Sequence, residues 1–224
     1  MKLLVRELGQ AQYQACWTAM REFSVARQAT THDELWTVQH PAVFTLGRAG
    51  KPEHILAAGD IPVVHSDRGG QVTYHGPGQL VIYTLLDTQR LRIGPRELVR
   101  RLEQGVIDAL AALNIQAQRR AGAPGVYVED AKVAALGLRL RNGMSYHGLA
   151  LNIDLDLEPF LRINPCGYAG LRVTRLADLG VTLDCAAVTA RVLPHLARAL
   201  YGDMPVDLVY AAAAGGMKPG LHGH

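Results

Sequence analysis

Strand-like runs concentrate in the middle of this 224-residue chain, and helix-like segments lie between them and towards both ends. Short runs rich in β-branched residues predict strands, and apolar residues at three- and four-residue steps predict helices. The predicted strands cover 3–8, 34–39, 61–65, 72–75, 80–85, 126–128, 133–140 and 145–155, and the predicted helices cover 10–29, 184–201 and a segment that begins at Pro95. The two types do not alternate regularly, so their order predicts an α+β fold with a mixed or antiparallel sheet flanked by helices.

The length and composition indicate one compact domain. Hydrophobic residues make up 49% of the chain and charged residues 19%, which is enough apolar material for a substantial core. We expect residues 1–210 to form a single domain. Residues 211–224 are rich in alanine and glycine and contain no motif, and we expect them to form a flexible tail.

Charge and cysteine usage restrict where the chain acts and what it binds. The net charge of +3 is too small for a protein that coats nucleic acid, so no nucleic-acid partner is expected. Three widely spaced cysteines without a CxxC pair indicate a reducing compartment. The N-terminal residues lack a signal-peptide core, and no apolar run approaches the roughly 20 residues that span a bilayer. We therefore expect a cytoplasmic protein, a monomer, with no membrane partner.

Glycine and proline are densest between Arg68 and Gln79, in the sequence RGGQVTYHGPGQ. Glycine allows a backbone to approach a ligand closely and to adopt positive φ, and the strand-like run between the glycines would hold side chains in fixed directions. The alternative is a hairpin with two glycine-rich turns and no ligand. A phosphate-binding loop is excluded, because the pattern GxxxxGK[ST] is missing.

Cys166 lies in the sequence NPCGY, where proline and glycine indicate a turn. A thiol in a turn can face a cleft, and a neighbouring cation would lower its pKa from the usual value of about 8.5. The alternative is an inert buried thiol, which is the expected state of Cys16 and Cys185 in their predicted helices.

Lysine is scarce: only Lys2, Lys51, Lys132 and Lys218 occur among 23 basic residues. Lys132 opens an apolar strand in the middle of the chain, and an ammonium group there could lie beside a catalytic sulfur. A solvated lysine at a strand edge is the alternative.

His147 lies in the sequence SYHGLALN, where the small residues Gly148 and Ala150 would leave room beside a strand. His75, His147 and Cys166 are potential zinc ligands. Because the usual ligand spacings such as HExxH or paired CxxC are missing, we expect no metal site.

Four segments in this order, RGGQVTYHGPGQ, GAPGVYVEDAKVAALGLR, SYHGLALNIDLDL and LRINPCGYAG, strongly resemble the lipoyl(octanoyl) transferase family. The resemblance covers roughly residues 68–176 and is highly specific there. It implies the α+β catalytic domain shared with biotin and lipoate protein ligases. It also implies transfer of an octanoyl group from acyl carrier protein to the target lysine of lipoyl domains, in 2-oxoacid dehydrogenases and the glycine cleavage H protein, with no ATP or other cofactor.

The resemblance also assigns residues. Cys166 would be the nucleophile that forms an acyl thioester, and Lys132 would lower its pKa. The acyl site would be lined by Arg68, Gly69, Gly70, Gln71, Val72, Thr73, Tyr74, His75, Ala135, Leu136, Gly137, Gly148, Leu149 and Ala150. Of these, Val72, Tyr74, Leu136, Leu149 and Ala150 are candidates for an apolar channel, although each could be an ordinary core residue.

Two other kinds of protein fit parts of the sequence. An ATP-dependent lipoate ligase shares the implied fold but does not need Cys166, and a non-catalytic acyl-binding module would tolerate its loss. For the acidic carrier protein, a docking face could include the arginines at 96, 100, 101, 119, 120, 139 and 141. The alternative is an ordinary solvated surface.

Overall fold

A computed structural model describes residues 1–164 and 170–211 of the chain. The strands in these ranges are β1 (Lys2–Gln10), β2 (Asp33–Gln39), β3 (Val43–Leu46), β4 (Val63–His65), β5 (Val72–His75), β6 (Gln79–Leu85), β7 (Val126–Val128), β8 (Ala131–Arg141), β9 (Met144–Asn152) and β10 (Asp207–Ala211). The α-helices are α1 (Tyr13–Ala26), α2 (Pro95–Ala111) and α3 (Cys185–Tyr201).

Seven strands form a large mixed sheet in the order β10-β1-β2-β6-β9-β8-β7. β1 is parallel to both β10 and β2, and the remaining neighbours are antiparallel. Helix α1 connects the parallel strands β1 and β2, because parallel neighbours need a crossover. The predicted mixed sheet with flanking helices is therefore confirmed.

Helices α2 and α3 cover one face of the large sheet and α1 covers the other. Leucine and valine side chains of α2 and α3, such as Leu102 and Leu196, share a core with Ile82 and Leu149 of the sheet. On the opposite face, Met20 of α1 packs with Ala150. This division follows from the alternation of side chains along each strand, since Leu149 and Ala150 point to opposite faces.

Three short strands form a second sheet in the order β4-β3-β5. Phe44 and Tyr74 form its core together with Phe160. The backbone N–H of Gly69 donates to the carbonyl of Leu138 in β8 at 2.9 Å, so the segment before β5 is attached directly to the large sheet. The small sheet and the α1 side of the large sheet are thereby held together.

The sequence patterns located most elements but missed β3 and β10. β3 has four residues, and its full burial removes the alternation that reveals half-buried strands. β10 is a partly exposed edge strand that pairs with β1. The predicted helix over 10–29 was too long at both ends, because Gln10 still belongs to β1 and α1 ends at Ala26.

Within the described ranges, no helix combines the length and the apolar character needed to cross a membrane. Ala211 is the last residue of β10. Residues 212–224 lie outside the described part of the chain, so the flexible tail stays a prediction.

Candidate active site

A pocket lies between the α1 side of the large sheet and the glycine-rich segment that leads into β5. Twelve of the fourteen residues expected to line an acyl site line this pocket: Arg68, Gly70, Gln71, Val72, Thr73, His75, Ala135, Leu136, Gly137, Gly148, Leu149 and Ala150. Lys132 lines it as well. Three segments that are distant in sequence therefore meet at one place.

The two remaining residues support the pocket from behind. Gly69 is held by its backbone bond to Leu138, and a Cβ on it would lie 3.0 Å from the carbonyl oxygen of Leu138. The ring of Tyr74 packs against Phe44 and Phe160, each with a centroid separation of 5.6 Å. Tyr74 thus belongs to the core of the small sheet.

Small residues of β8 and β9 form the floor of the pocket. Ala135 is paired with Ala150, and Gly137 with Gly148, across the two antiparallel strands. A Cβ on Gly148 would lie 1.9 Å from the carbonyl oxygen of Ile82, so only glycine fits there. Without large side chains on this face, a thin apolar ligand has room to lie along the strands.

Arg68 organises the glycine-rich wall instead of projecting into solvent. It is 7% exposed. Its guanidinium donates to the Thr45 carbonyl at 2.5 Å, the Gln71 carbonyl at 2.7 Å and the Gly69 carbonyl at 2.8 Å. Gly70, at φ 85°, makes the turn that brings the Gly69 and Gln71 carbonyls to the same guanidinium. The cation therefore fixes the shape of the wall.

Lys132 is 5% exposed at the end of the pocket nearest Asn152. Its Nζ donates to the Pro124 carbonyl at 3.2 Å and lies 5.3 Å from the centroid of the Tyr127 ring. Its backbone pairs with the segment 172–174: Lys132 N donates to Arg172 O at 2.8 Å, and Thr174 N donates to Lys132 O at 3.0 Å. The solvated strand-edge lysine is therefore not what the structure shows.

Cys166 lies outside the described residues, and its role stays a prediction. The described residues on either side of 165–169 are both held by backbone pairing, and those that follow reach the pocket. Asn164 N donates to His54 O at 2.7 Å, and Val173, which pairs with Lys132, lines the pocket.

Of the other two cysteines, Cys16 is fully buried, and burial raises its pKa to about 12. Burial also raises the pKa of the half-buried Cys185, so both fit the expected inert state.

The structure adds pocket residues that the sequence motifs missed: Gln79, Val81, Asn152, Phe160 and Val173. A signal for one of them was present. Asn152 follows Gly148 and Ala150 at two-residue steps, so strand alternation placed this polar side chain on the pocket face. Gln79 lies opposite Asn152 in the antiparallel pair of β6 and β9.

Asp67, the residue before Arg68, is a second polar centre. Its carboxylate accepts hydrogen bonds from Trp17 Nε1 and His147 Nε2, each at 2.8 Å, and from the Tyr146 hydroxyl. Partial burial favours a higher pKa for Asp67, but these bonds together lower its pKa to about 2. Burial lowers the pKa of His147. Asp67 thus attaches α1 and β9 to the glycine-rich segment. No group of three described His, Cys, Asp or Glu residues is arranged to hold a metal ion.

Beyond Tyr146, a groove of about 780 Å³ runs between α1 and the turn that joins β8 to β9. Arg21 and Arg141 line it, together with Glu22. Arg139 lies beside it, since it pairs across the strands with Tyr146. Of the other five arginines of the predicted docking face, three lie on α2, which covers the opposite face of the sheet. Arg119 bonds to the Arg100 carbonyl and Gln104 of α2, whereas Arg120 pairs with Asp130 between β7 and β8. The predicted face is therefore divided between two sides of the molecule.

Residues 12–197 match the family model described as the lipoyl protein ligase A/B catalytic domain. The chain is 56% identical over 200 residues to the octanoyltransferase of Chromobacterium violaceum, covering 89% of this chain and 97% of that protein. It is 60% identical over 196 residues to the octanoyltransferase of Stutzerimonas stutzeri, covering 88% and 90% of the two chains.

Solved structures with the same fold have little sequence identity to the chain. A putative lipoate protein ligase from Thermoplasma acidophilum superimposes with a TM-score of 0.76 at 15% identity, covering 96% of this chain and 90% of that one. Biotin protein ligase from Aquifex aeolicus gives a TM-score of 0.53 at 15% identity, covering 89% and 69%. The predicted likeness to the catalytic domains of these ligases is therefore confirmed at the level of the fold.

Proposed function

Since the chain belongs to the lipoyl protein ligase A/B catalytic-domain family and is an octanoyltransferase of protein lipoylation, we propose that it transfers its acyl group in two steps through Cys166. The donor is octanoyl-acyl carrier protein and the acceptor is the target lysine of a lipoyl domain, in the cytoplasm. The observation that carries this proposal is the apolar pocket with a buried lysine at its end.

The protons of the two steps balance because Lys132 gives up one proton in the first step and takes one up in the second. In the first step the Cys166 thiolate attacks the donor thioester, the bond to the carrier's sulfur breaks, and the Lys132 ammonium protonates the leaving thiolate. In the second step the neutral acceptor amine attacks the Cys166 thioester, the amide forms as the bond to the Cys166 sulfur breaks, and neutral Lys132 takes one proton from the amine. The cycle ends with the ammonium and the Cys166 thiolate restored.

Pocket geometry supports an eight-carbon acyl group. Val72 and Phe160 line the side opposite the small-residue floor, and Val81 belongs to that floor because it pairs with Ala150. Lys132 and Gly137 are five residues apart on β8, so the pocket extends about 16 Å along the strand. Burial at about 0.8 kcal/mol per CH₂ would give roughly 5 kcal/mol for the octanoyl chain.

Intact-mass measurement after incubation with octanoyl-carrier protein tests the thioester. We expect a gain of one octanoyl group on the wild-type chain and none on Cys166→Ala. Lys132→Ala should slow acylation by about 100-fold or more, in the range that general acid–base groups contribute. Lys51→Ala is the matched lysine control, because the Lys51 side chain is 63% exposed and should not affect the rate. An adduct that forms equally on Cys166→Ala would refute the central step.

An ATP-dependent ligase is the main alternative, because a solved structure of lipoate-protein ligase A bound with ATP shares the fold. We propose that no ATP is needed, since the donor thioester is already activated. Octanoylation of a lipoyl domain should therefore proceed at full rate from octanoyl-carrier protein without nucleotide. Free octanoate with ATP and Mg²⁺ should give no product. Product from octanoate that depends on ATP would favour the ligase.

The arginine-lined groove is our proposed docking surface for the acidic carrier protein. Tyr146 lines the groove and bonds Asp67, which directly precedes the pocket residue Arg68. Arg21 and Arg141 are both exposed there, so an acidic domain would meet complementary charge close to the acyl pocket.

Charge reversal in the groove tests this docking surface. Arg141→Glu should raise the KM for octanoyl-carrier protein about 5- to 10-fold with little change in kcat, and added salt should shrink the difference. Arg96→Glu, an equally exposed arginine on α2, is the matched control and should leave KM unchanged. Equal effects of the two reversals, or a KM insensitive to salt, would contradict docking in the groove.

A further inference from the structure

A line of buried polar side chains crosses the pocket from the small sheet to the strand of Lys132. Gln79 is 1% exposed and Asn152 is 4% exposed, and both line the pocket. Buried amides are costly unless their donors and acceptors are bonded. These two bond to each other, since Gln79 Nε2 donates to Asn152 Oδ1 at 3.0 Å.

Backbone carbonyls fix the direction of the bonds at one end. Asn152 Nδ2 donates to the Thr174 carbonyl at 2.9 Å, because a carbonyl can only accept. Gln79 Nε2 also donates to the Tyr74 carbonyl at 3.2 Å. Gln79 Oε1 is therefore the acceptor that faces His75 Nδ1 at 2.7 Å, and His75 Nδ1 carries the hydrogen.

The hydrogen bonds at the Arg68 end of the line run in the same donor-to-acceptor direction, and this follows without reference to the Thr174 end. Arg68 Nε donates to Thr45 Oγ1 at 2.9 Å, which leaves the Thr45 hydroxyl hydrogen for His75 Nε2 at 3.4 Å. His75 is then a neutral ring that accepts at Nε2 and donates at Nδ1. Burial lowers its pKa to about 3, which agrees with a neutral ring. Every donor in the line points from Arg68 towards Thr174, and such aligned bonds polarise one another.

The line of hydrogen bonds ends at Thr174, whose backbone is bonded to the backbone of Lys132. Thr174 accepts from Asn152 through its carbonyl and donates to the Lys132 carbonyl through its N–H at 3.0 Å. The segment 172–174 is thus held between Asn152 on one side and the Lys132 backbone on the other. The same segment follows residues 165–169, which include Cys166.

We infer that Gln79 and Asn152 are positioning residues that hold Lys132 and the segment 172–174 at a fixed place relative to the glycine-rich wall of the pocket. This inference rests on the proposed function, because it assigns the two amides a role through Lys132. Neither side chain takes part in the chemistry. A displacement of about 1 Å at a reacting group can cost on the order of 100-fold in rate, so rigid placement of Lys132 has a measurable value.

A double-mutant cycle on single-turnover acylation by octanoyl-carrier protein tests this role. Asn152→Ala should lower the acylation rate constant about 10- to 100-fold, with the half-saturating donor concentration changed by less than about twofold. In the Lys132→Ala background the same substitution should cost less than about threefold, because a residue acting through Lys132 has nothing left to position. Gln116→Ala, an exposed amide, is the matched control.

The inference and the proposed function are contradicted by different results. The inference fails if Asn152→Ala has no effect, or if its cost is the same with and without Lys132. If Asn152→Ala does not fold, Asn152→Asp replaces it in the same double-mutant cycle. This variant keeps the side-chain size and the acceptor oxygen but removes the donor to the Thr174 carbonyl. A Lys132→Ala chain that acylates at the wild-type rate would refute the role of Lys132 in the proposed function, and the inference with it.

Discussion

His40 and His75 are uncharged imidazoles inside the fold. Tyr83 and the Ala11 carbonyl bond the two ring nitrogens of His40, at 2.7 and 2.6 Å. Burial lowers the pKa of His40 to about 4 and that of His75 to about 3. The rings lie close together, with centroids 5.9 Å apart, so two charged forms would also repel each other. Their neutrality is part of the folded state.

This neutrality predicts how stability depends on pH. The unfolded chain takes up protons at both histidines below about pH 6.5, whereas the folded chain does so only near pH 4 and below. The free energy of unfolding should therefore be highest above pH 6.5 and should fall by several kcal/mol as the pH drops from about 6.5 to about 4. Urea unfolding at pH 7.5, 6 and 5 measures this. His40→Gln should reduce the slope, and an unchanged slope would show that other groups cause it.

At the scale of elements, helices α2 and α3 are in close contact at Gly105. A Cβ on Gly105 would lie 2.8 Å from the Cα of Leu196. Because Leu196 is fully buried in the main core, neither helix can shift without disturbing the packing against the sheet. A residue with no side chain therefore sets the distance between two helices.

Gly105→Ala tests this contact. The clash should cost about 1–3 kcal/mol, which outweighs the gain in helix propensity of up to about 1 kcal/mol. We expect a net loss in the free energy of unfolding, measured by urea titration. Gly94→Ala is the matched control, because a Cβ at Gly94 meets no atom within 4 Å and should change stability by less than about 1 kcal/mol. A Gly105→Ala chain as stable as the wild type would contradict this packing.

At the scale of the whole molecule, the pocket exists because the small sheet and the large sheet are held together. The glycine-rich segment belongs to the small sheet, and the floor with Ala135 and Gly148 belongs to the large one. Arg68 shapes one wall, and Asp67 attaches that wall to α1 and β9. The width of the pocket therefore depends on how the two sheets pack in the folded chain.

The assembled pocket should set the preference for acyl length. Ala135→Leu would fill part of the floor, so the end of an octanoyl chain would lose its contacts while a butanoyl chain would keep them. The ratio of octanoyl to butanoyl transfer rates should fall about tenfold or more, since each unburied CH₂ forfeits about 0.8 kcal/mol. The same substitution at the exposed Ala186 of α3 is the control. An unchanged ratio in Ala135→Leu would place the acyl chain elsewhere.

The sequence predicted the features that depend on local residue patterns, and it missed features that depend on long-range contacts. Strand and helix positions followed from residue spacing, and the family motifs indicated Lys132 and twelve residues that line the pocket. Phe160 and Val173 carried no such signal, because only the packing of the small sheet and the segment after Cys166 brings them to the pocket. For Tyr74 the sequence left two alternatives, a channel residue or a core residue, since alternation does not tell which of two faces holds the ligand, and the structure places it in the core of the small sheet.

The sequence alone determined the fold class, the scarcity of lysine and the motif residues, because these depend on residue type and local spacing. The tertiary structure decided which side of the sheet each arginine occupies, and how Arg68, His75, Gln79 and Asn152 connect the two sheets to Lys132. These contacts join residues up to 73 positions apart in the sequence. Their geometry depends on how the strands pair and how the sheets pack, which no local pattern encodes.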